Sequence, residues 1–296
     1  MGVLVSVLAS GSRGNCSLVE TSTTRILVDA GLSGRETFKR LRALADGNFA
    51  RRDCVGHGSA GHSSAAHSNA RPSNDRVEQI SAILITHEHS DHVAGLQRLA
   101  CKLNVPVFLT APTHHAWSRA VRDSEGAIPE LPKLEHFSAG RGFRVGDIEV
   151  MPFTIPHDAA DPVGFTFQAE GVKIGFATDL GYMPASVRDH LRGCNVLVME
   201  SNHDVEMLRS GPYPWSVKQR VMSRVGHLSN DALAEFFSSD YDGGAEYLVL
   251  AHLSEQNNHP EIARAAAEQA LGGSLGLWHN HVLLASQTEV LAPIRL

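Results

Sequence analysis

The sequence predicts an α/β fold, and two observations support that prediction. Short runs rich in β-branched and aromatic residues alternate along the chain with amphipathic stretches of helical period. With 296 residues, of which 43% are hydrophobic, the chain is also long enough to bury a large core. The predicted strands are residues 3–8, 25–29, 82–86, 105–110, 148–155, 163–169, 173–178, 196–200 and 247–251.

Capping and turn residues predict what lies between these strands. Ser33 and Glu36 form a capping box ahead of a hydrophobic stripe, and Gly47 supplies the stop, so a helix is expected there. Pro260 suits the first turn of a later helix. The predicted helices cover residues 33–46, 93–103, 230–237 and 260–271, and the predicted hairpin turns are 146–147 and 170–171.

Residues 48–76 interrupt the pattern. They are rich in small and polar residues and have no hydrophobic period, so they predict a flexible insertion within a single domain that spans residues 1–296. Three histidines in this segment, His57, His62 and His67, are expected to be solvated rather than to bind metal.

Composition restricts the partners and the compartment. The formal net charge is −6, so a nucleic acid would have to bind a local basic surface rather than the field of the whole chain. The four cysteines form no Cys-x-x-Cys pair, which argues against a disulfide framework and for a reducing cytoplasm. No signal peptide or membrane span is expected, and the oligomeric state is left open.

The motif Thr-His-Glu-His-Ser-Asp-His at residues 86–92 directly follows an apolar run. Imidazoles and a carboxylate so close together would make a poor core, because each must be hydrogen-bonded or ionised when buried. They are the ligand types expected around Zn²⁺, Mn²⁺ or Fe²⁺. Four donors are too close in sequence to share one tetrahedral ion, so two adjacent ions are predicted. These donors are His87, His89, Asp91 and His92.

Three later polar residues stand where a predicted strand ends. They are His157, Asp179 and His252, and each lies at a place where an apolar residue would suit a core better. In α/β scaffolds the carboxyl ends of strands carry functional groups. We therefore expect all three to join the 86–92 motif and to complete two metal sites.

This pattern resembles the metallo-β-lactamase superfamily over nearly the whole chain. The resemblance implies a four-layer αββα sandwich with the metal site at one edge. It implies that one ion is held by His87, His89 and His157, that the other is held by Asp91, His92 and His252, that Asp179 bridges them, and that Asp29 supports the site.

Within the superfamily, the segments 10–16, 200–204, 226–230 and 251–258 resemble the WalJ/YycJ-type exonucleases. Members of that group are regarded as cytoplasmic DNA-processing enzymes, so the resemblance implies a DNA substrate. Glu200 and His227 resemble a proton-shuttle pair of related tRNA-processing enzymes. The alternative for His227 is a capping or packing role ahead of the helix at 230–237.

The resemblance implies hydrolysis of a phosphodiester. A bound divalent ion lowers the pKa of water to about 7. Asp91 or Asp179 would orient the attacking water, and His227, held by Glu200, would protonate the leaving 3′-oxygen.

Two further segments are candidates for phosphate or DNA contact. The first is a loop with Ser10, Gly11, Ser12 and Asn15, which either aims backbone N–H groups at a phosphate or forms a tight turn that supports the metals. The second has the basic residues Lys218, Arg220 and Arg224 interleaved with Tyr213 and Trp215. It either follows a nucleic-acid backbone and stacks a base, or is a solvated helix face with a buried aromatic anchor.

The main alternative function is hydrolysis of a small thioester, lactone or β-lactam by the same kind of metal site. Such an enzyme would leave Glu200 and His227 without a task. A di-iron redox protein is disfavoured because that branch commonly has glutamate at the position of His89. A non-catalytic module would be expected to lack ligands, and all seven are present.

Overall fold

The computed structural model describes residues 2–47, 79–127, 129–272 and 280–296. The predicted insertion at 48–76 lies outside these residues. The strands are β1 (Leu4–Ala9), β2 (Cys16–Glu20), β3 (Arg25–Val28), β4 (Ala82–Leu84), β5 (Pro106–Thr110), β6 (Lys133–Phe137), β7 (Phe143–Val145), β8 (Ile148–Thr154), β9 (Val163–Ala169), β10 (Val172–Ala177), β11 (Val196–Glu200), β12 (Tyr247–Ala251), β13 (His281–Leu284) and β14 (Ile294–Arg295). The helices are α1 (Gly34–Ala45), α2 (Ser90–Val93), α3 (Leu96–Leu103), α4 (Ala111–Glu125), α5 (Ala185–Leu191), α6 (Val205–Ser210), α7 (Trp215–Val221), α8 (Asn230–Ser239) and α9 (Pro260–Gly272).

The strands form two mixed sheets of seven strands each. The first has the order β14-β1-β2-β3-β4-β5-β6, and the second has the order β13-β12-β11-β10-β9-β8-β7. In both sheets one half is antiparallel and the other half is parallel. The connections between parallel strands contain helices, as parallel pairing requires.

The side chains sort into three apolar layers because strand residues alternate between the two faces of a sheet. Ile26 and Leu84 point into a core between the two sheets, whereas their neighbours Leu27 and Ile83 pack against the helices outside the first sheet. A third apolar cluster lies between the second sheet and α5, α8 and α9. The order is therefore helix, sheet, sheet, helix, which confirms the predicted αββα sandwich.

Most predicted elements are present, and one differs. Ser33 Oγ accepts a hydrogen bond from Glu36 N at 3.3 Å and caps α1, as expected. The stretch 93–103 is not one helix, because α2 and α3 are separated around Gly95. A side chain at Gly95 would overlap the carbonyl oxygen of Leu32, so this residue lets two chain segments pack closely.

Three strand ends turn sharply at the same edge of the sandwich. Asp29 follows β3, Asp179 lies just after β10, and His252 follows β12. Their φ angles are 64°, 62° and 55°, in the left-handed region that residues other than glycine rarely occupy. Backbone strain of this kind is concentrated at functional sites. Among the described helices, none is both long enough and apolar enough to cross a membrane.

Candidate metal centre

The seven predicted metal ligands lie together at this edge. His87, His89 and His157 form one group, in which one donor atom from each residue lies within 4.8 Å of the others. Asp91, His92 and His252 form a second group by the same measure. Asp179 lies between the groups: it clusters with His87 and His92, and its Oδ1 is 3.3 Å from His252 Nδ1.

Two buried atoms of these ligands fit a metal ion. His87 Nε2 and Asp179 Oδ2 are enclosed but have no hydrogen-bond partner among the described residues. A buried polar atom left unpaired costs about 1–3 kcal/mol, so native sites normally supply a partner. In addition, His157 Nε2 faces His89 Nδ1 at 3.2 Å, with ring nitrogens directed at each other. A divalent cation satisfies all four atoms, and the donor set suits one.

Asp29 and Thr86 orient the histidines. His92 Nδ1 donates to Asp29 Oδ2 at 2.8 Å, which leaves Nε2 facing the candidate site. The other oxygen of Asp29 accepts the backbone N–H of Thr86 at 2.9 Å. Thr86 Oγ1 lies 3.0 Å from His87 Nδ1, so His87 also presents Nε2. A carboxylate behind a histidine fixes its tautomer and orientation in metal sites.

Glu200 is fully buried and holds two histidines at once. Its Oε1 accepts from His227 Nδ1 at 2.8 Å and from His252 Nδ1 at 2.9 Å. Its Oε2 accepts the backbone N–H groups of Leu180 at 2.8 Å and Leu228 at 3.1 Å. Because every lone pair faces a donor, the charged carboxylate is stable although it is shielded from water. His227 Nε2 remains available for proton transfer.

The charges of the site shift the pKa values of its histidines in opposite directions. Burial and the neighbouring imidazoles lower the pKa of His87, so it is neutral, as a ligand must be. Burial also lowers the pKa of His92 and of His252, but the surrounding carboxylates, Asp179 above all, outweigh it and raise both pKa values well above the ordinary value. Histidines must be unprotonated at the nitrogen that binds a metal, so binding of a cation at His92 and His252 would displace protons.

The pKa of Glu200 and the pKa of His227 move apart. Burial would raise the pKa of Glu200, yet His227 and His252 lower it overall. Burial would lower the pKa of His227, yet Glu200 raises it overall. His227 therefore retains its proton to higher pH than an ordinary histidine does, which suits a general acid.

The polar groups of the loop at residues 10–15 form hydrogen bonds mainly with other groups of the protein. Ser10 Oγ accepts the backbone N–H of His252 at 2.7 Å, and Asn15 Nδ2 donates to Asp91 Oδ2 at 3.1 Å. The backbone N–H of Gly11 donates to Asn15 Oδ1 at 2.8 Å. These bonds favour the supporting role over a phosphate cradle. Ser12 remains exposed to solvent.

The three basic residues of the second candidate segment have different surroundings. Lys218 is buried, and its ammonium group donates to the carbonyl oxygens of Arg209 at 2.7 Å and Gly211 at 2.8 Å. Its expected availability to DNA is therefore corrected: the ammonium group is bound to two backbone carbonyl oxygens. Arg220 and Arg224 are exposed.

Of the two aromatic residues of this segment, Trp215 is exposed and Tyr213 is half-buried. Trp215, at the start of α7, keeps 62% of its surface in contact with solvent, so the expected alternative of a buried aromatic anchor does not describe it. The guanidinium of Arg224 lies over the ring of Tyr182, 4.2 Å from its centroid. An exposed indole and exposed guanidinium groups on one segment provide surface chemistry that can stack a base.

Gly226 joins the segment to the metal centre through a contact with His157 that a local sequence pattern does not record. His157 Nδ1 donates to the carbonyl oxygen of Gly226 at 3.1 Å. A side chain at Gly226 would overlap the carbonyl oxygens of Arg220 and Val221. The residue is therefore required for the close packing that places both His157 and His227.

Gly226→Ala is expected to lower kcat/KM by about 10²-fold, because a displacement of about 1 Å at a catalytic group has an effect of that size. Steady-state kinetics on the metal-loaded protein would measure it. Gly34→Ala is the control, since a side chain at Gly34 meets no atom within 4 Å and helix α1 tolerates alanine. Equal activity of both variants would contradict the positioning role of Gly226.

The two-sheet sandwich, with histidine and aspartate donors gathered at one edge, defines the class of this protein: it is a metal-dependent hydrolase with the metallo-β-lactamase fold. A family model described as "Beta-lactamase superfamily domain" matches residues 24–253. The chain belongs to this superfamily and, within it, to the family of the YycJ and WalJ exodeoxyribonucleases.

Three comparisons give the extent of the similarity. The chain is 39% identical to exodeoxyribonuclease YycJ of Bacillus anthracis, over 92% of this chain and 90% of that protein. It is 34% identical to exodeoxyribonuclease WalJ of Streptococcus pneumoniae, over 99% of this chain and 98% of that protein. Its fold is similar to that of the metallo-β-lactamase fold protein YhfI from Bacillus subtilis, with a TM-score of 0.63, 15% identity, and coverage of 98% and 100% of the two chains.

Proposed function

We propose that this chain is a DNA exonuclease that uses two divalent ions, Zn²⁺ or Mn²⁺ with Fe²⁺ as an alternative. The observation that carries the proposal is the placement of the Glu200–His227 pair directly beside the two donor groups. The names of the relatives support DNA as the substrate. The proposal treats residues 1–296 as one domain and places its activity in the cytoplasm.

In this proposal the ligand groups have the roles that the family resemblance implied. His87, His89 and His157 would hold one ion, and Asp91, His92 and His252 would hold the other, with Asp179 between the two groups of donors and Asp29 behind His92. Divalent ions in such sites supply Lewis acidity, which lowers the pKa of water and offsets the charge of a phosphate.

The chain itself supplies orientation and a proton. Asp91 or Asp179 accepts a hydrogen bond from the attacking water and directs its oxygen at phosphorus. A new P–O bond forms to that oxygen, which releases a proton to solvent, while the bond between phosphorus and the 3′-oxygen breaks. His227 Nε2 gives its proton to the leaving 3′-oxygen, and Glu200 keeps the imidazole protonated until then.

The exposed part of the segment around α7 is proposed to bind the DNA. Trp215 is placed to stack a terminal base, and Arg220 and Arg224 to contact phosphates. Ser12 is the exposed member of the 10–15 loop and is a candidate for a further phosphate contact. Lys218 is left out of this surface because its ammonium group is already bound.

Metal removal tests the proposal directly. Chelated protein is expected to lose its activity on end-labelled single- and double-stranded DNA, and activity should return when Zn²⁺, Mn²⁺ or Fe²⁺ is added back. Elemental analysis should find two ions per chain. A metal-free protein with full activity would overturn the proposal, and turnover of a panel of thioesters, lactones and β-lactams without DNA cleavage would establish the small-molecule alternative.

A further inference from the structure

Asp158 and Arg220 form an ion pair at the rim of the metal centre, which points to a more specific role for Arg220 than a contact to the DNA backbone. Asp158 follows His157 in the sequence, and Arg220 lies on α7. Asp158 Oδ2 accepts from Arg220 Nε at 2.5 Å, and Oδ1 accepts from Nη2 at 3.1 Å. This is the two-point geometry that fixes a guanidinium in one plane.

The Asp158–Arg220 pair lies beside the donor group formed by His87, His89 and His157. Asp158 Oδ1 lies 3.5 Å from His157 Nε2 and 3.9 Å from His89 Nε2. The guanidinium bound to Asp158 is therefore held beside this group, while its own side chain remains 57% exposed. Exposed ion pairs contribute only about 0–1 kcal/mol to folding, so stability alone gives little reason for this arrangement.

Arg220 retains hydrogen-bonding capacity on its exposed side. A guanidinium has five N–H donors, and the two bonds to Asp158 use two of them. The remaining donors and the permanent positive charge match the oxygens of a phosphate.

The same segment carries His227. The backbone N–H of His227 donates to the carbonyl oxygen of Val221 at 2.9 Å, directly after Arg220 in sequence. A guanidinium and the candidate proton donor are thus attached to one tightly folded piece of chain at the rim of the site. Arg224 and Lys218 differ, because the former lies over Tyr182 and the latter is bound to carbonyl oxygens.

We propose that Arg220 is a catalytic residue that contacts the non-bridging oxygens of the scissile phosphate, and that Asp158 is a positioning residue that holds it there. The inference rests on the proposed phosphodiesterase function and adds a residue to it. Arg220 donates hydrogen bonds to charge that grows on these oxygens while the water oxygen bonds to phosphorus and the 3′-oxygen leaves with the proton of His227. Neither Arg220 nor Asp158 changes its bonds to hydrogen in this step.

A comparison of two substrates separates a scissile-phosphate contact from a distant DNA contact. Arg220→Ala should lower kcat/KM by about 10²-fold on both end-labelled DNA and the small diester bis(p-nitrophenyl) phosphate, because loss of one preorganised donor to transition-state charge has an effect of that order. If Arg220 only followed the DNA backbone, its replacement by alanine would raise KM for DNA and reduce the salt dependence of DNA binding. The kinetics on the small diester would be unchanged.

Asp158 is tested through its dependence on Arg220. Asp158→Asn should lower kcat on both substrates. The double variant should be no slower than Arg220→Ala alone, because the two changes remove the same interaction. Arg220→Lys should recover little activity, since an ammonium group cannot make the two-point contact. The matched control pair is Arg144 and Glu149, an exposed ion pair between neighbouring strands. Arg144→Ala and Glu149→Gln should retain wild-type kinetics.

The outcomes distinguish this inference from the proposed function. If wild-type protein cleaves DNA and Arg220→Ala cleaves both substrates normally, the inference fails and the nuclease stands. If Asp158→Asn loses metal by elemental analysis, Asp158 is a ligand and the positioning role is wrong. If the wild type cleaves neither substrate, the nuclease proposal fails, and calorimetry of inorganic phosphate binding to the metal-loaded protein decides the Arg220 contact: equal affinity in Arg220→Ala would overturn it.

Discussion

Asp179→Asn is expected to lower kcat/KM on DNA by about 10³-fold or more and to reduce the metal content of the protein. Asp179 lies between the donor groups: its Oδ2 is 3.4 Å from His92 Nε2, and its Oδ1 is 3.3 Å from His252 Nδ1. The substitution removes the charge but keeps the size of the side chain. Loss of a ligand charge from a two-metal site removes several kcal/mol of transition-state stabilisation, and about 4 kcal/mol corresponds to a factor of 10³.

The choice of asparagine keeps this experiment interpretable. Asp179 has a φ of 62°, and asparagine is one of the few residues that accept the left-handed region, so the fold should be retained. Glu170→Gln is the matched control, because Glu170 also has a positive φ but lies in the exposed turn between β9 and β10. Thermal unfolding of the metal-free variants would verify the fold. An Asp179→Asn protein with full metal content and normal kinetics would contradict the bridging role.

Glu200→Gln is expected to have the second largest effect, with kcat reduced by about 10²-fold, the scale of a general-acid contribution. Glutamine cannot accept all four hydrogen bonds, because its amide nitrogen would face N–H donors from Leu180 and Leu228 or from the two histidines. Leaving such buried donors unpaired should also reduce the free energy of unfolding by about 1–3 kcal/mol. Kinetics and denaturant unfolding measure the two effects separately.

The pH profile of this variant tests the proton-donor role of His227. Activity that needs a protonated acid falls as pH rises through the pKa of that acid. Glu200 raises the pKa of His227, and without its charge the effect of burial, which lowers that pKa, remains. The alkaline limb of kcat in Glu200→Gln should therefore move to lower pH. His227→Ala should slow the reaction and lose this limb while retaining metal. An unchanged limb in both variants would assign the proton to another group.

Periodicity was sufficient to predict the central strands other than β2, but it did not predict the edge strands β6, β7, β13 and β14. In β3 and β4 the apolar side chains alternate between two buried faces, so each forms a run that can be recognised from sequence alone. Strand β6 carries mostly exposed side chains, and it is a strand because it pairs with β5. Such pairing depends on residues distant in sequence, which a local pattern does not record. For that reason β6 was missed.

The residues of the site also fall into those that a local pattern predicts and those that only the folded chain brings together. The 86–92 motif is local, and its spacing was enough to indicate metal ligands. The contact between Asp158 and Arg220 joins residues 62 positions apart, so it could be found only in the folded chain. Lys218 was misassigned because its charge is visible in the sequence, whereas the carbonyl oxygens that bind its ammonium group are not.

The left-handed turns after β3, β10 and β12 have a consequence for the choice of cation. They fix the backbone positions of Asp29, Asp179 and His252. Hydrogen bonds between Asp29 and His92 and between Glu200 and His252 then fix the orientation of these two histidines. The backbone and these hydrogen bonds preorganise the donors, so exchanging one ion for another would require little movement of the protein. Selectivity between cations in such a rigid frame depends on coordination chemistry and on cellular supply rather than on reshaping of the cradle.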